Sequence, residues 1–208
     1  MNGVVGELDA PRAWGGVASS LGFGLLIGVA TYVLHGFSLF ERATNSATGW
    51  ILWTSVAGAA VTHLLPAMTA GAAMMVGACL GYYAVTAAAD LFGVGALPTA
   101  IVWLGVGIVT GPAMAWAGWQ TRRSPGWRRH VGVAMIGGVV LAEAGWMGFI
   151  LGYWGEAVGF AVLGVALTVA LCRYRSRDIR RWWLPFAIIL PITGAMLAGE
   201  VLVLGTLL

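Results

Sequence analysis

Five acidic side chains carry most of the chemistry that this sequence offers. Glu41, Asp90, Glu143, Glu156 and Glu200 lie within or beside long apolar runs, whereas Glu7, Asp9 and Asp178 fall in polar ends and loops. An ionisable group at membrane depth costs about 2.5–3.5 kcal/mol on insertion scales, so an acid placed there marks a candidate site. Glu143 and Glu200 are the deepest, about 20 and 25 Å from the starts of their apolar runs at 1.5 Å per residue. Asp90 ends one run at the same level. Glu156 there also suits the first turn of a helix, where a negative charge meets the positive end of the dipole. Asp90 also suits a turn cap, Glu41 with Arg42 a solvated pair, and His35 and His63 bonds to backbone or water at span ends.

Aromatic rings crowd the level of these acids. Tyr32, Trp53, Tyr83, Trp103, Trp146 and Phe149 all map to that half of their runs, and Glu143 and Trp146 share a face by three-residue spacing. An acid among aromatic faces suits one reaction well. The carboxylic acid protonates an alkene or epoxide of a polyene, and indole and phenol faces stabilise the carbocation that moves through cyclisation. Burial keeps water from quenching that cation. Burial also weakens the acid as a donor, so a second acid or a tyrosine must activate it.

Other chemistries lack their residues. No aspartate-rich diphosphate motif, HExxH or GxSxG occurs, so metal-assisted ionisation, metalloproteolysis and serine hydrolysis have no footing. No metal site or cofactor is expected. Cys79 and Cys172 stand alone in apolar runs as core thiols.

The elements that must position these residues are membrane spans. Of 208 residues, 60% are apolar and 9% charged, and the mean hydropathy is +0.88. A soluble domain has about a quarter charged residues. The composition excludes a soluble enzyme, a nucleic-acid-binding domain and a disordered chain. Seven apolar stretches run Trp14–His35, Gly49–Leu65, Ala67–Ala89, Ala96–Trp119, Val131–Leu151, Gly155–Cys172 and Trp183–Leu207. Pro66, Pro98, Ser124-Pro125-Gly126 and a tight turn at Gly152–Gly155 separate them. With seven spans, ten of the eleven arginines fall on the side of the N-terminus and only Arg42 on the other. That bias places the N-terminus in the cytoplasm. The N-terminus has no basic n-region, so the first run is expected to be retained as a span. Small-xxx-small pairs at Gly24/Gly28, Gly77/Gly81, Gly107/Gly111, Gly148/Gly152 and Gly155/Gly159 predict close helix packing, and Pro112 and Pro191 predict kinks. The expected fold is therefore all-α, a seven-transmembrane-helix bundle forming one domain over 1–208.

Gly22-Phe23-Gly24, Thr31, the segment Asn45-Ser46-Ala47-Thr48-Gly49-Trp50, Gly111-Pro112 and the arginine-rich fourth loop resemble a family of small polytopic actinobacterial membrane proteins. That family includes the integral-membrane terpene cyclases of drimentine-type indole-sesquiterpenoid pathways. The resemblance implies a bacterial plasma-membrane enzyme that cyclises a farnesylated acceptor by protonation. On this reading Glu143, Glu200 and Asp90 are the catalytic acids, and Tyr83, Trp103, Trp146, Trp53, Tyr32 and Phe149 line the substrate pocket. The partners are the bilayer and a hydrophobic prenylated small molecule, with no nucleic acid. The alternatives are a proton-coupled transporter or channel, with Glu143 and Glu200 as relays, and a non-enzymatic accessory protein whose acids brace helices.

Overall fold

The computed structural model describes residues 10–37, 44, 46–89 and 96–174, together with 185 and 187. Six helices form there: α1 Ala10–His35, α2 Ala47–Ala60, α3 Leu64–Ala88, α4 Ala96–Arg123, α5 Trp127–Gly145 and α6 Trp154–Arg173. No strand occurs among the described residues. Five of the helices are long and apolar enough to cross a membrane. α2, with 14 residues, covers about 21 Å at 1.5 Å per residue, less than the ~30 Å hydrocarbon core. The seventh expected span, Trp183–Leu207, and its Pro191 lie outside the described residues.

What the helices bury and expose identifies their solvent. Ala67, Ala70, Ala115, Ala117, Ala134, Thr54 and Thr168 are wholly buried, while Val109 is 72%, Val162 64% and Val102 63% exposed. In water that sorting would be reversed. In lipid it is expected, because small residues let helices approach and bulky apolar ones face acyl chains. The protein is a multi-pass membrane protein.

The boundary expected at Leu65/Ala67 moves. α2 ends at Ala60, Val61 and His63 are extended, and α3 begins at Leu64. Pro66 sits inside the first turn of α3, where an amide has no helical partner to lose. Pro98 takes the same place in α4. The other two expected breaks fall where the structure turns: Gly126 and Gly152 have positive φ, 65° and 73°, the left-handed region that glycine enters without strain.

The chain divides into two compact units, Met1–Arg122 and Arg123–Leu208. In the first, α1 and α3 run in the same direction with their glycine pairs facing. A methyl group on Gly24 would fall on the Met74 carbonyl, one on Gly28 on the Ala78 carbonyl, and those on Gly77 and Gly81 on the carbonyls of Leu21 and Leu25. α4 runs against α3, with Gly111 on the Gly71 backbone and Gly107 on Met75. Gly58 of α2 meets the Ala115 backbone of α4, and Gly118 that of Ser55. The starts of α1 and α3 and the ends of α2 and α4 thus share one end of this unit, called proximal below. In the second unit α5 and α6 are antiparallel. Arg129 reaches Leu171, and Gly148 packs on Ala157 and Trp154.

Two expected loop arginines are helix caps. Arg122, in the last turn of α4, donates from Nη1 to the Ala59 carbonyl at 3.0 Å, and Trp119 Nε1 donates to the Thr62 carbonyl at 3.1 Å. They satisfy the carbonyls left open where α2 stops. Arg129 is buried in the first turn of α5 and donates from Nη2 to the Leu171 carbonyl at 2.8 Å, at the end of α6.

Candidate functional site

The expected site residues fall into two groups. Tyr32, Trp53, Tyr83 and Trp103 belong to the first unit, and Glu143, Trp146 and Phe149 to the second. Asp90, Glu200 and Glu41 lie outside the described residues.

In the first unit, rings gather at the distal end. Tyr82 is the hub, edge-on to Tyr32 at 5.9 Å, Trp50 at 6.0 Å and Tyr83 at 5.2 Å between centroids. Trp50 Nε1 donates to Thr31 Oγ1 at 3.0 Å, and Thr31 donates in turn to the Ile27 carbonyl at 2.8 Å. Edge-to-face pairing and a satisfied indole make this a fixed nest. Further along α1, His35 Nδ1 and Thr44 Oγ1 share a hydrogen bond at 3.4 Å. Trp50 is thus a partner within the nest, and Tyr82 is its centre. Both carry a spacing signal, because Tyr82 directly precedes Tyr83 and Trp50 lies three residues before Trp53. Trp103 is half-buried, one turn beyond Gly107 on the stripe of α4 that faces α3.

Trp53 does not join the nest. It is 43% exposed and stands edge-on to Phe23 at 5.3 Å. The pair closes one end of a groove of about 490 Å³ between α1 and α2, with Met74 of α3 as its floor. Gly16, Ser20, Ala57 and Val61 line its walls. Among the described residues no acid lines it. Its α2 wall repeats at Trp53, Ala57, Ala60 and Val61, a helical stripe readable from sequence. That the stripe faces a groove and not a neighbouring helix was not readable.

In the second unit, Glu143 is half-buried in the last turn of α5. The helix then widens into a π-turn over Trp146–Ile150. Leu151 N–H reaches back five residues to the Trp146 carbonyl at 3.1 Å, and Tyr153 N–H bonds the Met147 carbonyl at 2.7 Å. Such single-turn widenings cluster at functional sites. Glu143 and Trp146 stay neighbours, since Trp146 N–H still bonds the carbonyls of Ala142 and Glu143. Ile150, four residues after Trp146, is carried back around the axis by the wider turn. Phe149 is 74% exposed and edge-on to Trp154 at 5.2 Å; it belongs to the outer surface of this unit. Glu156 is in the first turn of α6, the position that suits a dipole partner. Among the described residues, no three His, Cys, Asp or Glu side chains gather as metal ligands. Cys79 and Cys172 are buried free thiols, as their apolar surroundings predicted.

A model of one protein family matches residues 8–205. The chain belongs to the DUF6518 family. That family is described as one of unknown function, and no curated protein and no solved structure matches the chain. The match covers both units, so the glycine-packed helices, the nest and the Glu143 turn of this DUF6518 member all lie within the family region.

Proposed function

We propose that the protein is an integral-membrane, proton-initiated cyclase of a prenylated acceptor, seated in a bacterial plasma membrane with seven spans and a cytoplasmic N-terminus. The observation that carries the reading is Glu143, a half-buried carboxyl at the point where α5 loosens into a π-turn beginning at Trp146. Glu143 delivers a proton to an alkene or epoxide of the bound isoprenoid. The π pair of an alkene forms the new C–H bond; an epoxide oxygen instead takes the proton on a lone pair and keeps the electrons of the C–O bond that breaks. The carbocation is captured by the next alkene. A final proton loss regenerates an alkene, so the product is an isomer of the substrate and no redox partner enters. Trp146 supplies a π-face beside the donor, and Glu200 or Asp90 is the activating acid. The arginines of the proximal end and of the helix starts and ends at Arg122–Arg129 support the orientation.

The test is to incubate membranes carrying the protein with a farnesylated indole diketopiperazine and look for products of unchanged mass. Glu143→Gln keeps the volume but removes the transferable proton. It should lower turnover about 100-fold or more, the usual share of general acid catalysis. Trp146→Leu should lower it about 30-fold, or change the product mixture, if a desolvated cation contact of ~2 kcal/mol is lost. Proton flux dependent on Glu143 with no cyclised product would instead assign the protein to transport.

A further inference from the structure

The groove between α1 and α2 plays no part in the chemistry proposed for Glu143, yet it is built for a ligand of its own. α1 and α2 both lie on α3 but touch each other only sparsely, so the space between them opens sideways, toward the lipid. The serine hydroxyls of its α1 wall are already spent: Ser19 and Ser20 donate back to the carbonyls of Gly15 and Gly16 at 3.0 and 2.8 Å, which leaves a mainly carbon surface with Thr62 at the proximal end. From Gly16 to Phe23 the groove follows seven residues of α1, about 10 Å at 1.5 Å per residue, most of the ~15 Å depth of one leaflet's hydrocarbon. The Phe23–Trp53 pair stops it at the deep end. At the proximal end it reaches Val61 and Thr62, where the exposed Arg122 sits on the Ala59 carbonyl.

We propose that the groove binds one acyl chain of an anionic phospholipid from the proximal leaflet, with the headgroup phosphate drawn to the Arg122 end. The groove's length suits one leaflet's chain, and the cationic end selects the charge of the head.

The experiment uses the full chain in phosphatidylcholine vesicles containing a small fraction of phosphatidylglycerol with a photoreactive acyl chain. Parallel vesicles carry phosphatidylcholine with the same chain. After irradiation, adducts are mapped to peptides. Adducts at Phe23, Trp53 and Val56 should be about fivefold more frequent with phosphatidylglycerol, the size of one basic side chain's attraction for an anionic surface. Ser19→Phe and Ala60→Phe, both at exposed positions lining the groove, should each suppress those adducts severalfold. Adducts at Ile108 and Val109, exposed on α4, should remain, which shows that the variants are folded. Equal labelling by the two lipids would overturn the proposal, as would groove labelling no denser than on α4 or insensitive to both fillings. Suppression by a farnesylated acceptor without preference for the anionic lipid would give the groove to the isoprenoid and also overturn it. None of these outcomes depends on Glu143, so failure here leaves the cyclase reading standing, and the reverse.

Discussion

The two units solve the same packing problem by different means. In the first, helices meet backbone to backbone: Gly24 and Gly28 of α1, Gly58 of α2, Gly71, Gly77 and Gly81 of α3, and Gly111 and Gly118 of α4 each lack a Cβ where a neighbouring carbonyl already sits. In the second, Gly155 and Gly159 of α6 have nothing within 4 Å of where a Cβ would stand. There the helices are joined by side chains, with Arg129 on Leu171 at one end and Gly148 against Trp154 and Ala157 at the other. The same small-xxx-small spelling thus means an interface at Gly24/Gly28 and open space at Gly155/Gly159. A motif that rests on the absence of a side chain acquires meaning only from what lies opposite.

The sharpest way to break this contrast is a single methyl group. Gly58→Ala would place a Cβ on the Ala115 carbonyl, with the Ala115 Cα only 2.5 Å away. Both obstacles are backbone, which cannot rotate aside. The cost should reach about 3 kcal/mol, the upper end for an overpacked core. Thermal unfolding in detergent would show it as a large loss of midpoint. A wild-type midpoint would mean that α2 and α4 do not meet as described.

Next in size is the clamp of the second unit. Arg129→Met keeps the aliphatic stem but removes the donor to the Leu171 carbonyl. A charged hydrogen bond of this kind contributes about 1.5–3 kcal/mol, and its loss leaves a helix-end carbonyl without that donor. Arg122→Met removes an equivalent bond at an exposed position, where water can replace the donor, so its effect should be smaller. Unfolding of the two variants side by side would check the order. An Arg122 effect as large as that of Arg129 would mean that its site is closed to water.

Much of this architecture could be read from the sequence, for physical reasons that also explain what could not. Long apolar runs mark spans because backbone groups in lipid must be satisfied within a helix, so five of the expected stretches appear as long helices. The break near Pro66 was misplaced because proline is a barrier only inside a helix and is tolerated in its first turn. Trp50 was not among the rings expected to line the pocket. Its bond to Thr31 comes from a helix 19 residues earlier, and that is tertiary information. Of the rings expected to form one pocket, Tyr32 and Tyr83 join the nest, Trp53 stands at the groove, Trp103 lies on α4, and Trp146 and Phe149 belong to the second unit. Helical stripes show which residues share a face but not which face meets which neighbour.

The nest itself offers a milder test. Trp50→Phe keeps a ring against Tyr82 but loses the hydrogen bond to Thr31. Thr31 retains its own bond to Ile27, so only one interaction disappears, about 1 kcal/mol for a neutral pair. The unfolding midpoint should fall modestly. In Thr31→Val the same bond is already gone, so adding Trp50→Phe should have little further effect. Independent, additive losses would show that the two side chains do not interact.

The smallest expected effect carries a reversed sign. Gly159→Ala places a methyl group where the second unit leaves open space, on an exposed stretch of α6. Nothing is displaced, and the residue gains helix propensity. Alanine in a helix interior is favoured over glycine by roughly 0.5–1 kcal/mol in water. Part of that comes from shielding the backbone from water, which lipid does not supply, so a gain near the lower figure is expected. The unfolding midpoint should rise slightly or hold. Gly155, nearer the helix start, should behave the same way more weakly, since the first turn contributes less to the helix ladder. A loss comparable to that of Gly58→Ala would show a partner surface seated on the Gly155–Gly159 face in the folded protein. The two units would then use glycine in the same way, and the contrast between them would disappear.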